Sequence, residues 1–174
     1  MLRSVFVYGA IAGSVIIATM ILGLVLSGGE GAGASHWFGY LTMLIALSVI
    51  FFAIKRHRDK ELGGVIKFST AALLGLGVST VAGLFYVIGW EVHLAMTDHA
   101  FINQYTDAAI ARKQAAGVTG AELEAFIAEM HQMKESYANL FYRAPMTFIE
   151  IFPVGIIVTL VSAALLRNEK FLPA

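Results

Sequence analysis

FSTAALLGLGVSTVAGLFYVIGW, residues 68–90, contains no Asp, Glu, Lys, Arg or His. As a helix rising 1.5 Å per residue it covers the ~30 Å hydrocarbon core of a bilayer. In hydrocarbon each backbone N–H and C=O must be paired within the protein, so the stretch reads as a membrane-spanning helix. Three more apolar blocks lie around it, from Val5 to Leu26, from Trp37 to Ile54 and from Pro145 to Leu166, the last holding one acid, Glu150. The expected fold is an all-α integral membrane protein with four transmembrane helices. It forms a single membrane domain over residues 1–174, with spans near 5–26, 37–54, 68–90 and 145–166.

Composition supports this pattern. Of 174 residues 58% are apolar and 14% charged, against about 25% charged in a typical soluble domain, and the mean hydropathy is +0.75. Net charge is zero, which leaves no electrostatic case for nucleic acid, and the absence of cysteine excludes disulfides and thiol chemistry. Gly28, Gly29, Gly31 and Gly33 mark a short turn after the first block, and Gly63 and Gly64 a break before the third. Arg3 and the Ala32-Gly33-Ala34 triplet imitate a signal peptide. The run from Val5 to Leu26 exceeds the roughly 7–15 residues of a signal core, so it is expected to remain as a span.

Basic residues orient the spans. Arg3 precedes the first. Lys55, Arg56, Arg58, Lys60 and Lys67 lie between the second and third, and Arg167 and Lys170 follow the fourth. The expected topology has both termini and this short basic loop in the cytoplasm. The loop interleaves with Asp59 and Glu61, which argues against nucleic acid and leaves topology, with contact to anionic headgroups, as its expected role.

Residues 91–143 are then external, and acids outnumber bases there. Glu91 to Ala116 lacks proline and glycine, so the third span is expected to continue outward as one helix ending at Gly117. Thr119 and Glu122 have the spacing of a capping box for a second helix reaching about Ala138. Leu123, Phe126, Ile127, Met130 and Met133 recur at three- and four-residue steps, giving an apolar face expected to pack within an external helical hairpin. Pro145 suits the first turn of the returning helix.

Tyr8-Gly9-Ala10-Ile11-Ala12-Gly13, then Lys55-Arg56-His57-Arg58-Asp59-Lys60-Glu61-Leu62-Gly63-Gly64-Val65-Ile66, then Phe148-Ile149-Glu150-Ile151-Phe152-Pro153-Val154-Gly155 occur in this order. Together they resemble the bacterial membrane family catalogued as domain of unknown function 4199, over nearly the whole chain. The resemblance implies a four-span fold in a bacterial envelope and transfers no catalytic residue.

Glu150 is the candidate functional acid. A carboxylate inside a span costs roughly 2.5–3.5 kcal/mol at mid-membrane, so it is expected to face the bundle and find a partner. Topology offers Arg143, His36, Glu91 and His93 as neighbours. Arg143 precedes Glu150 by two helical turns and shares its face if the helix starts early. Pro153 cannot donate to the carbonyl of Ile149 and is a candidate kink beside the acid. Gly9 and Gly13, and the stripe of Gly75, Ser79 and Gly83, are candidate helix-packing positions, within the monomer or in a dimer. His99, Asn103 and Asp107 share a helical face, as do His131 and Glu135; i,i+4 polar pairs of this kind are expected to be solvated rather than metal-binding, and no cofactor is expected.

No nucleotide-binding loop, catalytic triad or dinucleotide fingerprint occurs, so no enzyme activity is expected. Two functions remain: an envelope accessory or interaction protein, partnered by the bilayer and by an envelope protein or a second copy, and a small proton- or cation-linked transporter using Glu150.

Overall fold

A computed structural model describes residues 1–26 and 36–173. The glycine-rich turn after the first block and the side chain of His36 lie outside the described residues. Among the described residues all regular structure is helical. The order is α1 (Leu2–Leu26), α2 (His36–Leu47), α3 (Val49–Glu61), α4 (Phe68–Met96), α5 (Ala100–Ala115), α6 (Ala121–Ala138) and α7 (Leu140–Leu166). Four helical segments are long and apolar enough to cross a membrane: α1, α2 with α3, α4, and α7. Side chains such as Phe6, Ile45, Leu73, Ile88 and Ile149 point outward from them. In water so much exposed apolar surface would drive association; in a bilayer it faces lipid.

Helix α4 occupies the centre, packed against α1 on one side and α7 on the other. It runs parallel to α1. A Cβ on Gly9 would lie 2.5 Å from Val81 Cβ, one on Gly13 would lie 2.6 Å from the carbonyl oxygen of Ala82, and one on Gly89 2.7 Å from Ile17 Cγ1. It runs antiparallel to α7, where a Cβ on Gly75 would meet Thr159 at 2.6 Å, one on Gly83 would meet Phe148 at 2.6 Å, and one on Gly155 would meet Ser79 Oγ at 2.6 Å. Both small-residue stripes are therefore used for packing inside the chain. Two buried hydroxyls bond to carbonyls of their own helices: Ser79 Oγ donates to Gly75 O at 2.9 Å, and Thr147 Oγ1 to Arg143 O at 3.0 Å. Such bonds satisfy polar groups that hydrocarbon cannot hydrate.

Several boundaries differ from the sequence reading. The second span continues as helix through the basic cluster to Glu61, with a joint at Ser48, whose Oγ donates to Ile45 O at 2.6 Å. Lys55, Arg56, Arg58 and Lys60 thus stand on the last turns of a helix and not on a loop. The glycine turn beyond it forms as expected, with Gly64 N–H closing on Arg58 O at 2.9 Å.

The third span does not run on to Ala116. It stops at Met96, where Thr97 N–H and Oγ1 both turn back to His93 O, and Asp98 and His99 take left-handed φ values of 48° and 56°. Short polar side chains tolerate that region better than most, which is why a break occurs without glycine or proline. Gly117 does end α5, at φ 83°, with its N–H on Gln114 O and that of Val118 on Lys113 O.

The Thr119–Glu122 capping box is absent: Gly120 is the N-cap of α6 and no side chain caps it. Glu122 instead pairs with Lys113 across the hairpin at 3.2 Å. The apolar face of α6 is turned inward, with Met130 buried and with Ile102 and Thr106 of α5 also buried. Helix α7 starts five residues before Pro145, because Asn139 Oδ1 accepts from Phe141 N–H at 2.9 Å and caps it. Pro145 and Pro153 both lie inside the helix.

Gly13 and Gly23 share α1 but differ in surroundings, since no described residue lies within 4 Å of a Cβ on Gly23. Gly13→Leu is expected to destabilise the detergent-solubilised protein by about 1–3 kcal/mol, the usual cost of overpacking. Gly23→Leu should unfold at the wild-type temperature. Equal melting of the two variants would contradict the α1–α4 contact.

Candidate functional site

Glu91 and Arg143 meet where α4 and α7 join the hairpin. The helical register brings Glu91 of α4 beside Arg143 of α7. The guanidinium makes two bonds to the carboxylate, Nε to Oε1 at 2.8 Å and Nη2 to Oε2 at 2.6 Å. Its third nitrogen, Nη1, donates to Tyr137 O at 2.6 Å at the end of α6. The Arg143 side chain is 5% exposed and that of Glu91 25%. A buried guanidinium with its donors matched to a carboxylate and a carbonyl is the arrangement that makes burying it tolerable.

Aromatic rings close the same junction. The indole N–H of Trp90 donates to Tyr137 Oη at 2.8 Å, and the Arg143 guanidinium lies 5.5 Å from the Tyr137 ring centroid. Phe101 of α5 packs edge-on to Trp90 with centroids 4.9 Å apart, and His93 stacks on Trp90 at 5.2 Å. Burial holds the Tyr137 phenol above its ordinary pKa, against the opposing pull of the Trp90 hydrogen bond and the Arg143 charge, so it stays neutral. One ion pair and four rings from α4, α5, α6 and α7 thus clamp the hairpin to the bundle.

Glu150 lies deeper. From Leu140 the helix axis advances about 15 Å to reach it. Its Oε2 accepts from Tyr86 Oη at 3.2 Å, and the same hydroxyl lies 2.9 Å from Met20 Sδ of α1. Two expectations are corrected here. Arg143 does not pair with Glu150, although the early start of α7 places both on one continuous helix, because Glu91 engages the guanidinium from α4. Nor does Glu150 point into the bundle core: it is exposed on the outer edge of α7 and leans toward α4 through Tyr86. His93 is engaged with Trp90. Pro153, also exposed, follows within the unbroken helix and leaves Ile149 O without its usual donor.

At the opposite end Arg58 has 0% exposure. Its Nε donates to Asp59 Oδ1 at 2.7 Å, Nη1 to Phe171 O at 3.0 Å and Nη2 to Leu172 O at 2.5 Å. Asp59 is also paired with Lys55. This residue of the basic cluster is a structural anchor for the segment after α7. His99, Asn103, Asp107, His131 and Glu135 are all exposed on the hairpin, and among the described residues no three His or carboxylate groups come together as a metal site.

Tyr86, Tyr137 and Met20 were not singled out from the sequence. A signal existed for Tyr86, which continues the face of Ser79 and Gly83 by one more turn. None existed for Tyr137, because its role depends on how α6 docks.

Four apolar spans, packed on one another and closed by an ion-pair clamp, define a multi-span membrane protein. Residues 7–168 match the family described as Protein of unknown function (DUF4199), and the chain belongs to that family. Neither the curated proteins nor the solved structures provided a match.

Removing Arg143 strips one partner from a largely buried pair, which costs ~3–5 kcal/mol in general. Arg143→Ala is expected near the lower figure, because Glu91 keeps some access to solvent. In a double-mutant cycle Arg143→Ala with Glu91→Ala should lose less than the sum of the single losses. Strict additivity in detergent unfolding would deny the pair.

Proposed function

We propose that this is an accessory or interaction protein of a bacterial cytoplasmic membrane, with both termini inside and the α5–α6 hairpin outside. The observation that carries this reading is the clamp of Glu91, Arg143, Trp90 and Tyr137. It fixes the hairpin rigidly on the bundle, as suits a surface presented to a partner and not a loop that opens over a transport path. Support for the orientation comes from charge. Lys55, Arg56, Lys60, Lys67, Arg167 and Lys170 belong to one end, and the acid-rich hairpin to the other. The family resemblance supports the bacterial envelope.

The partner, an envelope protein or a second copy, would meet the neck of the hairpin. There Met96 and Phe141 are 80% and 87% exposed at the end of α4 and the start of α7. Tyr142 and Tyr105 are exposed as well. No catalytic reaction is part of the proposal.

A transport function has one observation in its favour, the Glu150–Tyr86 hydrogen bond within the apolar depth of the bundle. It is the weaker reading because the carboxylate sits on the outer edge of α7, and the α4 interfaces on both sides are packed at glycine-to-side-chain contact.

Two measurements separate them. A photo-crosslinking residue at position 141, in intact cells, is expected to give one reproducible adduct that Arg143→Ala weakens by loosening the hairpin. Proton or cation flux in proteoliposomes should be the same for wild type and Glu150→Gln. A flux abolished by Glu150→Gln, with no adduct at position 141, would replace the accessory reading by transport. A reporter active only outside the cytoplasm, fused after Ala115, should be active; an inactive one reverses the orientation.

A further inference from the structure

The basic end carries a groove between α1 and α3. Two adjacent depressions, each about 290 Å³, share Tyr8 and Arg56; Lys55, Asp59 and Lys60 border one, and Arg3, Ser4 and Glu61 the other. The charges in this groove divide into two groups. Asp59 is matched by Lys55 and Arg58, and Glu61 by the Met1 ammonium at 3.1 Å. Arg3, Arg56 and Lys60 are exposed and make no ion pair with any described residue. The groove therefore keeps a surplus of uncommitted positive charge, with the Tyr8 hydroxyl as a further donor.

The walls of the groove grade from polar to apolar in one direction. On α1, Arg3, Val7 and Ile11 follow at four-residue steps, and on α3 so do Lys60, Arg56 and Phe52. Residues spaced by four stand above one another on a helix. Both rows begin with cations at the end of the bundle and finish with exposed apolar side chains toward its middle. A charged head at the bilayer boundary above apolar flanks is the profile of an amphiphile. The depressions sit at the lower limit of ~300–1,000 Å³ small-molecule sites, enough for a headgroup and not for its chains.

We propose that this groove binds the phosphate of an acidic phospholipid headgroup, held by Arg3, Arg56 and Lys60, with the acyl chains lying along Val7, Ile11 and Phe52. Arg58 and Lys55 take no part, because internal partners engage both. The site requires only that the spans cross the bilayer and is independent of the accessory reading.

The test uses the full chain in neutral detergent, with bound lipid counted by native mass spectrometry. Phosphatidylglycerol should be retained in preference to phosphatidylcholine, and inorganic phosphate should not displace it. Each cation near a charged headgroup contributes about fivefold in affinity, so Arg3→Gln with Arg56→Gln should weaken phosphatidylglycerol roughly 25-fold. Arg56→Lys should retain most of the affinity, and Arg167→Gln, which lies at the same end outside the groove, should change nothing. Helix content and melting temperature of each variant establish that it is folded. The site is overturned by unchanged phosphatidylglycerol affinity in the double variant, by equal retention of phosphatidylcholine, by an equal loss in Arg167→Gln, or by displacement with inorganic phosphate. Displacement of that kind would identify a soluble anion as the ligand.

Discussion

The close approach of α1 and α7 to α4 governs the rest of the molecule. Between helices in lipid there is little hydrophobic gain, because the lipid tails are as apolar as the side chains; association rests on packing at short range. Gly9 and Gly13 let α1 settle against Val81 and Ala82, while Gly75, Gly83 and Gly155 let α7 interlock with α4 around Thr159, Phe148 and Ser79. These contacts set the rotation and the register of all three helices. The polar groups follow from that register. Tyr86 comes between Met20 and Glu150, and Glu91 comes opposite Arg143.

Two buried arginines then tie the bundle to its non-spanning parts. Arg143 holds Glu91 and the last carbonyl-bearing turn of α6, and so secures the hairpin. Arg58 holds the chain beyond α7 through Phe171 O and Leu172 O. Each guanidinium offers several donors in a planar fork, which suits backbone carbonyls at or beyond the end of a helix. The two arginines also shape the remaining surface. With Arg58 turned inward and Lys55 bound to Asp59, the positive charge left in the groove between α1 and α3 is that of Arg3, Arg56 and Lys60.

Hydropathy revealed the spans because lipid imposes its requirement on each segment separately. The packing role of Gly9, Gly13, Gly75, Ser79 and Gly83 was visible for a related reason: small residues at four-residue spacing form a face before any partner is known. The hairpin was half legible. Gly117 announced its turn, and the periodicity of Leu123, Phe126, Ile127, Met130 and Met133 announced its inner face. The break at Asp98 and His99 carried no such mark, since neither residue type excludes helix. Glu91, Arg143 and Glu150 were each visible as charges near one boundary, yet their pairing was not, because several partners were equally near in sequence terms.

The sequence by itself determined an all-helical membrane chain of four spans, the concentration of basic residues at one end and the acid-rich hairpin at the other. These follow from the cost of unpaired backbone and charge in hydrocarbon, a cost that depends on composition over about 20 residues. Tertiary structure alone decided that Arg143 belongs to Glu91, that Glu150 leans on Tyr86 at the outer edge of α7, and that Arg58 is buried while Arg56 is free. Those outcomes depend on helix rotation and on distances of a few ångströms between residues far apart in the chain, and hydrogen bonds fall off too steeply with distance and angle for sequence spacing to choose among them.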